Sequence, residues 1–356
     1  MSKKIKVKVV GASGYGGVGI TELLIHHPFA SLETLVDLEN VGKPISEIYP
    51  HLMGFCDKVI VSPDDPAALA PADVVFFSTP DGVGMKQARA ELERGSKVID
   101  YSGDFRFNSA EDYAEYARRI GKDTNHASPD LLPESVYGVP ELHRKDINAS
   151  RRLVGNPGCF AVSCELGFAA AVKAGIVRSG SLIADCKTGV SGAGKKPVPT
   201  FHYPSRYDMM NAYRLSGHQH VCEIERELGI LAGGKPMPIT FTAQVVPVCR
   251  GIMSTLYADL LKPMTEEDVL AIYKEFYKDS LFVRVLPSTA PVGSMHVRST
   301  NYVNLVVSVD ARVQRLRVVS YIDNLVKGQA GSALQNMNLL FGFPENAGLD
   351  FVGKFP

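Results

Sequence analysis

The chain has 356 residues, of which 45% are hydrophobic, and its 38 basic and 38 acidic side chains give a formal net charge of zero. This length exceeds what a single hydrophobic core usually supports, so we expect two domains. The balanced charge, without a basic stripe, excludes a nucleic-acid partner, and no apolar run is long enough to span a membrane. The N-terminal Met-Ser-Lys-Lys leads straight into a strand pattern without a signal region, which predicts a cytoplasmic protein.

The cysteine pattern gives no sign of disulfides or of a metal site. Six cysteines stand at positions 56, 159, 164, 186, 222 and 249, and no two of them form a Cys-x-x-Cys pair. We therefore expect reduced thiols, as in a cytosolic protein. His218 and His220 have no convincing further ligands nearby, so no metal is predicted.

The chain opens with a strand, a glycine-rich turn and a helix. Residues 5–10 form the strand pattern, Gly11, Gly14 and Gly17 lie in the turn, and residues 18–26 form the helix pattern. Glycines at such positions allow a tight turn, close approach of the backbone to a pyrophosphate, and close packing of the helix on the strand. Placed after the first strand, the cluster indicates a dinucleotide-binding fold.

Further strand and helix patterns alternate through the first half of the chain. Strand patterns cover residues 32–38, 74–80 and 97–102, and a helix pattern covers residues 83–95. The alternation predicts an α/β fold, a Rossmann-type doubly wound parallel sheet. Because ligands of such sheets bind beyond the carboxyl ends of the strands, the candidate contact residues are Thr79, Pro80, Ser102, Asp104 and Arg106.

Asp37 ends the second strand pattern. A carboxylate at this point usually accepts the ribose hydroxyls of NAD and repels the 2′-phosphate of NADP. The nearest cation in the sequence is Lys43. The alternative is an ordinary solvated turn residue, because turns favour Asp.

Cys159 follows an Asn-Pro-Gly turn and precedes an apolar run, residues 160–174, that reads as a helix. A thiol at a helix N-terminus is stabilised as the thiolate, which is the reactive form, and the free N–H groups there could hold an oxyanion. The alternative is a structural cysteine buried as a small hydrophobic residue.

The second half of the chain is richer in strands. Strand patterns cover residues 181–187, 240–257, 301–309 and 318–322, and an amphipathic helix covers 265–277. They predict an α+β catalytic domain with a mixed or antiparallel sheet. A helical pattern at 323–341, interrupted at Gly328 and Gly331, could return to the first domain. We therefore expect a dinucleotide-binding domain of residues 1–158 joined by 328–356, and a catalytic domain of residues 159–327.

Two loops of the second half carry candidate functional residues. A glycine-rich loop contains Ser191 and ends at Lys195 and Lys196, which suits an anionic ligand better than a plain surface hairpin. His218 and His220 lie in a glycine-bounded turn before an acidic helix. Paired surface histidines are commonly inert, but with a candidate thiol elsewhere a histidine is the natural acid or base at neutral pH.

Eight motifs along nearly the whole chain resemble those of the N-acetyl-gamma-glutamyl-phosphate reductase family. The wider superfamily includes aspartate-semialdehyde dehydrogenase and, more distantly, glyceraldehyde-3-phosphate dehydrogenase. The motifs are Gly11-Ala-Ser-Gly-Tyr-Gly-Gly17, Val98-Ile-Asp-Tyr-Ser-Gly-Asp-Phe-Arg106, Tyr137-Gly-Val-Pro-Glu-Leu142, Gly155-Asn-Pro-Gly-Cys159, Gly189-Val-Ser-Gly-Ala-Gly194, His218-Gln-His220, Val246-Pro-Val-Cys-Arg-Gly-Ile-Met-Ser-Thr255, and Asp323-Asn-Leu-Val-Lys-Gly328 with Gln335-Asn-Met-Asn338.

The resemblance implies an enzyme of arginine biosynthesis that reduces a small acyl phosphate with NADP(H), releases phosphate and works as a homo-oligomer, a dimer or tetramer. Cys159 matches the family nucleophile, and His218 matches the acid/base ahead of His220. Arg106 and Asn156 match contacts on the phosphate side of the substrate. Position and resemblance together give the candidate cofactor contacts Gly11, Ser13, Gly14, Tyr15, Gly16, Asp37, Thr79, Pro80, Ser191, Gly192 and Gly194.

The sequence departs from the family pattern at three points. Asp37-Leu38 replaces a usual Ser-Arg pair, which makes NAD(H) an alternative cofactor; Gln219 replaces an Arg, and Ala243-Gln244 replaces a Pro-His pair. A lysine-pathway reductase of a substrate one methylene longer shares most motifs, and one methylene is worth only about 1–3 kcal/mol in a pocket. A non-catalytic nucleotide-binding protein and a cysteine hydrolase are the alternatives from other classes.

Overall fold

The computed structural model describes residues 4–353 and 355. The chain divides into two compact units. Unit 1 contains residues 4–118, 122–157 and 329–350, and unit 2 contains residues 119–121, 158–328, 351–353 and 355. The sequence analysis expected the whole tail from residue 328 to return to the first domain; residues 351–353 instead belong to unit 2, where Gly353 lies against the Arg298 carbonyl.

Unit 1 is built on a seven-stranded sheet in which all the pairings are parallel, in the order β3-β2-β1-β4-β5-β7-β6. Strand β4 is apolar and fully buried, and the last four residues of β1 are buried, as expected for a parallel sheet covered on both faces. The predicted Rossmann-type sheet is therefore confirmed. The strands are β1 (Ile5–Val10), β2 (Ala30–Val36), β3 (Ile60–Val61), β4 (Val74–Phe77), β5 (Lys97–Asp100), β6 (Val136–Tyr137) and β7 (Leu153–Gly155).

The helices of unit 1 include one from the end of the chain. This last helix packs against α1, α6 and β5. Asn338 on it donates to the backbone carbonyls of Glu345 and Ala347, and its side-chain oxygen is 2.9 Å from His27 Nε2. The helices are α1 (Tyr15–Ile25), α2 (Ile45–Ile48), α3 (Pro66–Leu69), α4 (Gly84–Glu93), α5 (Ala110–Arg119), α6 (Pro140–His143) and, near the C-terminus, α11 (Gly331–Phe341).

Unit 2 is built on a second seven-stranded sheet, of order β12-β13-β14-β11-β8-β10-β9. Two of its pairings, β10 with β8 and β12 with β13, are parallel and the rest are antiparallel, so the predicted mixed sheet is confirmed. The strands are β8 (Leu182–Thr188), β9 (Asn211–Tyr213), β10 (Ile239–Val245), β11 (Ile252–Asp259), β12 (Val283–Pro287), β13 (Val303–Asp310) and β14 (Arg315–Ile322).

Helices cover one face of this second sheet. They are α7 (Cys159–Lys173), α9 (His220–Leu231) and α10 (Glu266–Phe276); the unit also contains the short helix α8 (Tyr203–Arg206). Of these, α7 packs on β11 and β14, α10 packs on β13, and α9 packs on α7. Thr265 caps α10 by accepting the Asp268 N–H while Asp268 accepts the Thr265 N–H, a reciprocal capping box. Along β8, β11 and the second half of β14, residues alternate between buried and more exposed, so the other face of the sheet is partly open.

Candidate active site

Cys159 is the first residue of α7, with Gly158 as the N-cap, so the predicted position of the thiol at a helix N-terminus is confirmed. The helix is 15 residues long, and every residue from Phe160 to Val172 is buried, which fixes it in the core of unit 2. Cys159 itself is partly exposed. The positive end of the helix dipole and the first N–H groups of α7 therefore surround an accessible thiol, and both favour the thiolate.

His220 and Glu223, at the start of α9, hold the residue just before this thiol. The Glu223 carboxylate is almost fully buried and accepts the Gly158 N–H at 3.0 Å. Its other oxygen lies 3.9 Å from His220 Nε2. A Cβ on Gly158 would overlap the His220 ring, so the imidazole packs directly on Gly158. The arrangement places the His220 imidazole against Gly158, the residue before Cys159, together with a carboxylate that would stabilise a proton on the imidazole.

His218 has a different environment. It is buried against the rings of His220, Phe241 and Phe160. Its Nδ1 accepts a hydrogen bond from the backbone N–H of His220 at 3.2 Å. Burial, helped by the neighbouring His220 and Arg214, lowers the pKa of His218 to about 2. The ring is therefore neutral near pH 7, with its hydrogen on Nε2 because Nδ1 accepts a bond. The sequence ranked His218 first as acid/base, whereas this geometry favours His220.

Two further residues surround Cys159 within unit 2. A Cβ on Gly328 would lie 2.7 Å from the Cys159 Cβ, so the backbone of Gly328 packs closely against the nucleophile. Tyr213 lies on the edge strand β9, and burial together with the nearby Cys159 thiol raises the pKa of its phenol. Cys159 is thus enclosed by α9, β9 and the Gly328 backbone.

The glycine-rich loop of unit 2 forms a 3-10 turn, Val190–Ala193. Ser191 is buried, and its Oγ accepts from Asn324 Nδ2 at 3.0 Å. Gly192 and Gly194 are exposed, and Gly194 has a φ of 83°, which favours glycine. The hydroxyl of Ser191 holds the loop in place, while the exposed glycines leave its backbone open to a ligand.

In unit 1, the glycine-rich turn joins β1 to α1. Gly11 has a φ of +81°, and a Cβ there would overlap the Ser78 carbonyl oxygen at the end of β4, so both space and backbone conformation require glycine. The helix begins at Tyr15, three residues earlier than the predicted helix pattern. Its first N–H groups, including those of Tyr15 and Gly16, lack partners within the helix and can donate to a phosphate.

Asp37 follows β2, and its carboxylate binds the glycine-rich turn. One oxygen accepts the Ser13 N–H at 2.8 Å, and the other accepts the Leu38 and Glu39 N–H groups at 2.8 and 3.2 Å. The Ser13 carbonyl in turn accepts from the Tyr49 hydroxyl at 2.8 Å. Of about four lone-pair sites on the carboxylate, these bonds leave about one for a ligand. Asp37 is therefore a brace of the turn as well as a candidate ribose contact.

The candidate phosphate-side residues of unit 1 are engaged with the protein itself. Arg106 is buried, and its guanidinium donates to the carbonyls of Asn156 and Tyr101 at 2.8 and 2.6 Å. The Asn156 amide donates to the Gln329 carbonyl at 3.0 Å and accepts from Asn336 at 3.2 Å. Both side chains order the backbone of unit 1, and their contact with substrate stays a prediction.

The other strand-end candidates of unit 1 also bond internally. Asp104 accepts the Gly82 and Met85 N–H groups at the start of α4, and Ser102 donates to Asp100. Thr79 is half-buried and Pro80 is exposed. Burial raises the pKa of Asp100 well above its usual range, so this carboxyl is protonated more readily than an ordinary aspartate.

Sequence reasoning missed Glu223, Gly328 and the Asp323-Asn324 pair as site residues. Glu223 had a usable signal, because it lies three residues after His220 and so on the same helix face. For Gly328 the only signal in the sequence was its place in the motif of residues 323–328. Among residues 4–353 and 355, no three His, Cys, Asp or Glu side chains are grouped to hold a metal ion, and no helix is long and apolar enough to cross a membrane.

Comparison with protein families identifies the class. The semialdehyde dehydrogenase NAD-binding domain matches residues 6–150, and the semialdehyde dehydrogenase dimerisation domain matches residues 159–324. Solved structures have the same fold. Aspartate semialdehyde dehydrogenase II from Vibrio cholerae aligns with a TM-score of 0.72 at 17% identity, over 96% of this chain and 99% of that one. The Candida albicans aspartate semialdehyde dehydrogenase solved with NADP gives 0.70 at 17% identity, over 97% and 100%. These matches and the glycine-rich turn define an NAD(P)-dependent oxidoreductase of the semialdehyde dehydrogenase class.

Curated relatives narrow the assignment. N-acetyl-gamma-glutamyl-phosphate reductase from Thiobacillus denitrificans is 41% identical over 99% of this chain and 100% of its own length. The enzyme of the same name from Desulforamulus reducens is 40% identical over the same shares of the two chains. The chain belongs to the N-acetyl-gamma-glutamyl-phosphate reductase family.

Proposed function

We propose that the protein reduces N-acetyl-gamma-glutamyl phosphate to N-acetyl-glutamate semialdehyde and releases phosphate, as a cytoplasmic enzyme of arginine biosynthesis. The observation that carries the proposal is Cys159 at the N-terminus of α7, beside His220 and Glu223, in a chain of this family. A positioned thiolate divides acyl transfer and reduction into two steps through a covalent thioester.

In the first step, the Cys159 thiolate attacks the acyl carbon of the substrate. A C–S bond forms, the C–O bond to phosphate breaks, and phosphate leaves with the bonding electron pair. The N–H groups that begin α7 stabilise both the thiolate and the oxyanion of the tetrahedral adduct. Gly158, the N-cap residue of α7, has no side chain that could cap these N–H groups.

In the second step, the thioester is reduced. When bound, the nicotinamide dinucleotide supplies a hydride to the thioester carbon. His220 supplies a proton to the oxygen of the resulting tetrahedral adduct and removes it as the C–S bond breaks, so that the aldehyde leaves and the Cys159 thiolate is restored. Glu223, 3.9 Å from His220 Nε2, stabilises the protonated imidazole. His218 stays neutral, and it orients His220 by accepting a hydrogen bond from the backbone N–H of His220.

The residues of unit 1 fit a dinucleotide. Gly11 allows the tight turn. The N-terminus of α1, with its first N–H groups and the positive end of the helix dipole, would bind a pyrophosphate. The same turn carries Ser13, Gly14, Tyr15 and Gly16, the cofactor contacts expected from sequence. Of these, Tyr15 and Gly16 offer backbone N–H groups at the start of α1, whereas the Ser13 N–H donates to Asp37 and the Gly14 N–H donates to the Gly11 carbonyl.

The resemblance implies NADP(H), but the contacts of Asp37 favour NAD(H). Its remaining lone pair can accept a hydrogen bond from the ribose 2′-hydroxyl. A 2′-phosphate would instead bring a like negative charge and would be a poorer hydrogen-bond donor to the carboxylate. In the described part of the chain Asp37 forms no ion pair, and Leu38 stands where the family has a cation. We therefore infer that NADH is used at least as well as NADPH.

A homo-oligomer is proposed through the partly open face of the second sheet. Met253, Tyr257, Val319 and Tyr321 lie half-buried on this face, alternating with residues buried under α7. The unit matches a family described as a dimerisation domain. A partly exposed sheet face that carries these large side chains among polar ones such as Asp185, Lys187 and Arg317 suits a second copy of the same chain. Light scattering of the wild type and of Val319→Glu tests this: a dimer or larger that the substitution dissociates is expected, and a monomeric wild type would exclude it.

The activity is tested by supplying the chain with N-acetyl-gamma-glutamyl phosphate and either NADH or NADPH. Loss of reduced nicotinamide with release of one phosphate per hydride is expected, and the substrate one methylene longer should react more slowly. Preference for the longer substrate would move the assignment to the lysine-pathway reductase. Phosphate release that needs no dinucleotide would indicate a hydrolase.

A further inference from the structure

The Asp323–Gly328 motif carries part of the family resemblance but has no role in the chemistry proposed above. In the structure, β14 ends at Ile322, and the motif leads into a π-helical turn, Val326–Ala330, before α11 begins. Single π-helical turns are rare and often lie at functional sites, because an i→i+5 bond widens the backbone and costs stability. We therefore expect a specific contact to explain why the chain forms a π-helical turn at this position.

That reason lies in the contact between Gly328 and Cys159. A Cβ added to Gly328 would be 2.7 Å from the Cys159 Cβ and 3.3 Å from its Cα, distances at which one of the two residues must move. The Gly328 N–H donates to the Asp323 carbonyl at 2.9 Å, which closes the turn. Gly328 is not in the left-handed region, so an alanine would fit its backbone and only the contact would oppose it.

Asp323 anchors the start of the turn. It is fully buried, and one of its oxygens accepts the Leu325 and Val326 N–H groups at 2.8 and 3.1 Å. The other oxygen accepts the Ser299 N–H at 2.6 Å. Arg250 pairs with the same carboxylate at 3.0 Å. A buried charge is retained only where it is paired and fully hydrogen-bonded, and here those bonds fix the first residues of the turn.

Asn324 joins the same turn to two loops of unit 2. Its side-chain oxygen accepts the Gly251 N–H at 2.7 Å, and its amide donates to Ser191 Oγ at 3.0 Å. Asn324 is almost fully buried, so both bonds are made away from water, where an unmade bond is costly. The beginning of the turn is thus held by Arg250, Gly251, Ser191 and Ser299 at once.

We propose that the turn held by Asp323 and Asn324 is a positioning device for the nucleophile, and that Gly328 is a positioning residue that sets where the Cys159 side chain lies at the end of α7. This deepens the proposed function and rests on it. The absence of a side chain at Gly328 lets the turn approach the nucleophile, and the buried bonds of Asp323 and Asn324 keep it there. A displacement of about 1 Å at a reacting group can cost about a hundredfold in rate.

The test is Gly328→Ala, with Gly293→Ala as the matched control, because Gly293 is in the same unit, has extended backbone and has open space around its Cα. With acyl phosphate as substrate, we expect kcat to fall by about a hundredfold in Gly328→Ala. The KM for the dinucleotide should stay unchanged, and so should both parameters in the control. The pH profile of Cys159 alkylation by iodoacetamide should also shift in Gly328→Ala, which a purely structural defect elsewhere would not cause.

A second variant keeps the proposal falsifiable if Gly328→Ala does not fold. Arg250→Gln removes the cation from Asp323 without touching Cys159, and we expect a severalfold fall in kcat with the same unchanged dinucleotide KM. The proposal would be overturned if a folded Gly328→Ala variant had the wild-type kcat and the wild-type alkylation profile. If only Arg250→Gln folds, the same result in that variant would overturn it. If the wild-type protein has no reductase activity, the proposed function is refuted. If the alkylation profile is nevertheless shifted in Gly328→Ala, the positioning role of Gly328 is retained.

Discussion

Cys159 and Cys164 lie five residues apart in α7 and have opposite surroundings. Cys159 is partly exposed at the helix N-terminus, where dipole and N–H groups favour the thiolate. Cys164 is fully buried, with its Sγ 3.5 Å from that of Cys186, and burial raises its pKa well above the usual range. From position on this one helix we therefore expect Cys159 to be reactive and Cys164 to be inert.

Cys159→Ser should abolish acyl-phosphate reduction and leave dinucleotide binding intact, because a hydroxyl is a far weaker nucleophile than a positioned thiolate. The loss is measured as kcat and the binding as a titration with NADH. Cys164→Ala serves as the control and should keep the wild-type rate. A Cys159→Ser variant with more than about a hundredth of the wild-type activity would contradict the nucleophile role.

The two histidines should differ in effect. His220→Asn is expected to lower kcat by about a hundredfold or more, the usual scale for a general acid/base. His218→Asn should do less, because His218 is held neutral and acts on His220 only through a hydrogen bond. Steady-state kinetics of both variants decide the order. A larger loss in His218→Asn would return the acid/base role to the residue that the sequence ranked first.

His218 also makes stability depend on pH. Its pKa is about 2 in the folded chain and 6.5 ordinarily, so between these values the unfolded chain binds more protons and stability falls as pH falls. Between about pH 7.5 and 5.5 this one group removes about 1.4 kcal/mol. Thermal unfolding at the two pH values should therefore show a smaller fall in Tm for His218→Asn than for the wild type. Equal falls would mean that His218 takes up a proton in the folded state.

At the scale of elements, the turn between β1 and α1 is held from outside by Asp37. The carboxylate accepts the Ser13 N–H, and Tyr49 donates to the Ser13 carbonyl. Burial, with the nearby Tyr15, Asp37 and Glu22, raises the pKa of Tyr49 to about 12, so this hydroxyl stays a donor at neutral pH. The turn is thus bordered by acidic and neutral groups, which suits a ribose better than a second phosphate.

Asp37→Ser should shift the ratio of kcat/KM for NADPH over NADH upward by about tenfold, or about 1.4 kcal/mol, because the like charge is removed while a short polar side chain remains. Glu33→Ser is the matched control, since Glu33 is an exposed carboxylate on β2, the strand that Asp37 follows. Binding of NADH and NADPH by calorimetry gives a readout independent of turnover. An unchanged ratio in Asp37→Ser would show that the carboxylate only braces the turn.

The elements that sequence could predict are those with long patterns. The strands at β1, β4 and β5 and the helix α7 were expected close to their observed bounds. Residues 83–95 were expected as a helix, and α4 covers 84–93. Short strands such as β6 and β7 were missed, because two or three residues carry no period and are defined only by their neighbours in the sheet. The π-helical turn was missed because residue propensity does not report an i→i+5 bond.

At the scale of the whole molecule, the proposed function divides the roles between the two units, with dinucleotide binding in unit 1 and the covalent step in unit 2. The Cys159 thiol, the His220 imidazole, the Glu223 carboxylate and Gly328, which packs on Cys159, all lie in unit 2. Sequence could predict Cys159, because a helix start follows from an Asn-Pro-Gly turn and an apolar run. The residues alone gave no ground for choosing between His218 and His220, since both share one motif; the resemblance ranked His218 first, and burial and packing are what distinguish the two in the structure.

The most direct measurement is phosphate-dependent oxidation of the aldehyde. The wild-type protein is mixed with N-acetyl-glutamate semialdehyde and oxidised dinucleotide, NAD or NADP, and the absorbance of the reduced nicotinamide is followed with and without inorganic phosphate. The account predicts sustained formation of reduced nicotinamide only when phosphate is present, because phosphate must release the acyl group from Cys159. It also predicts that Cys159→Ser forms none. Sustained oxidation without phosphate, or no oxidation with either dinucleotide, would contradict it.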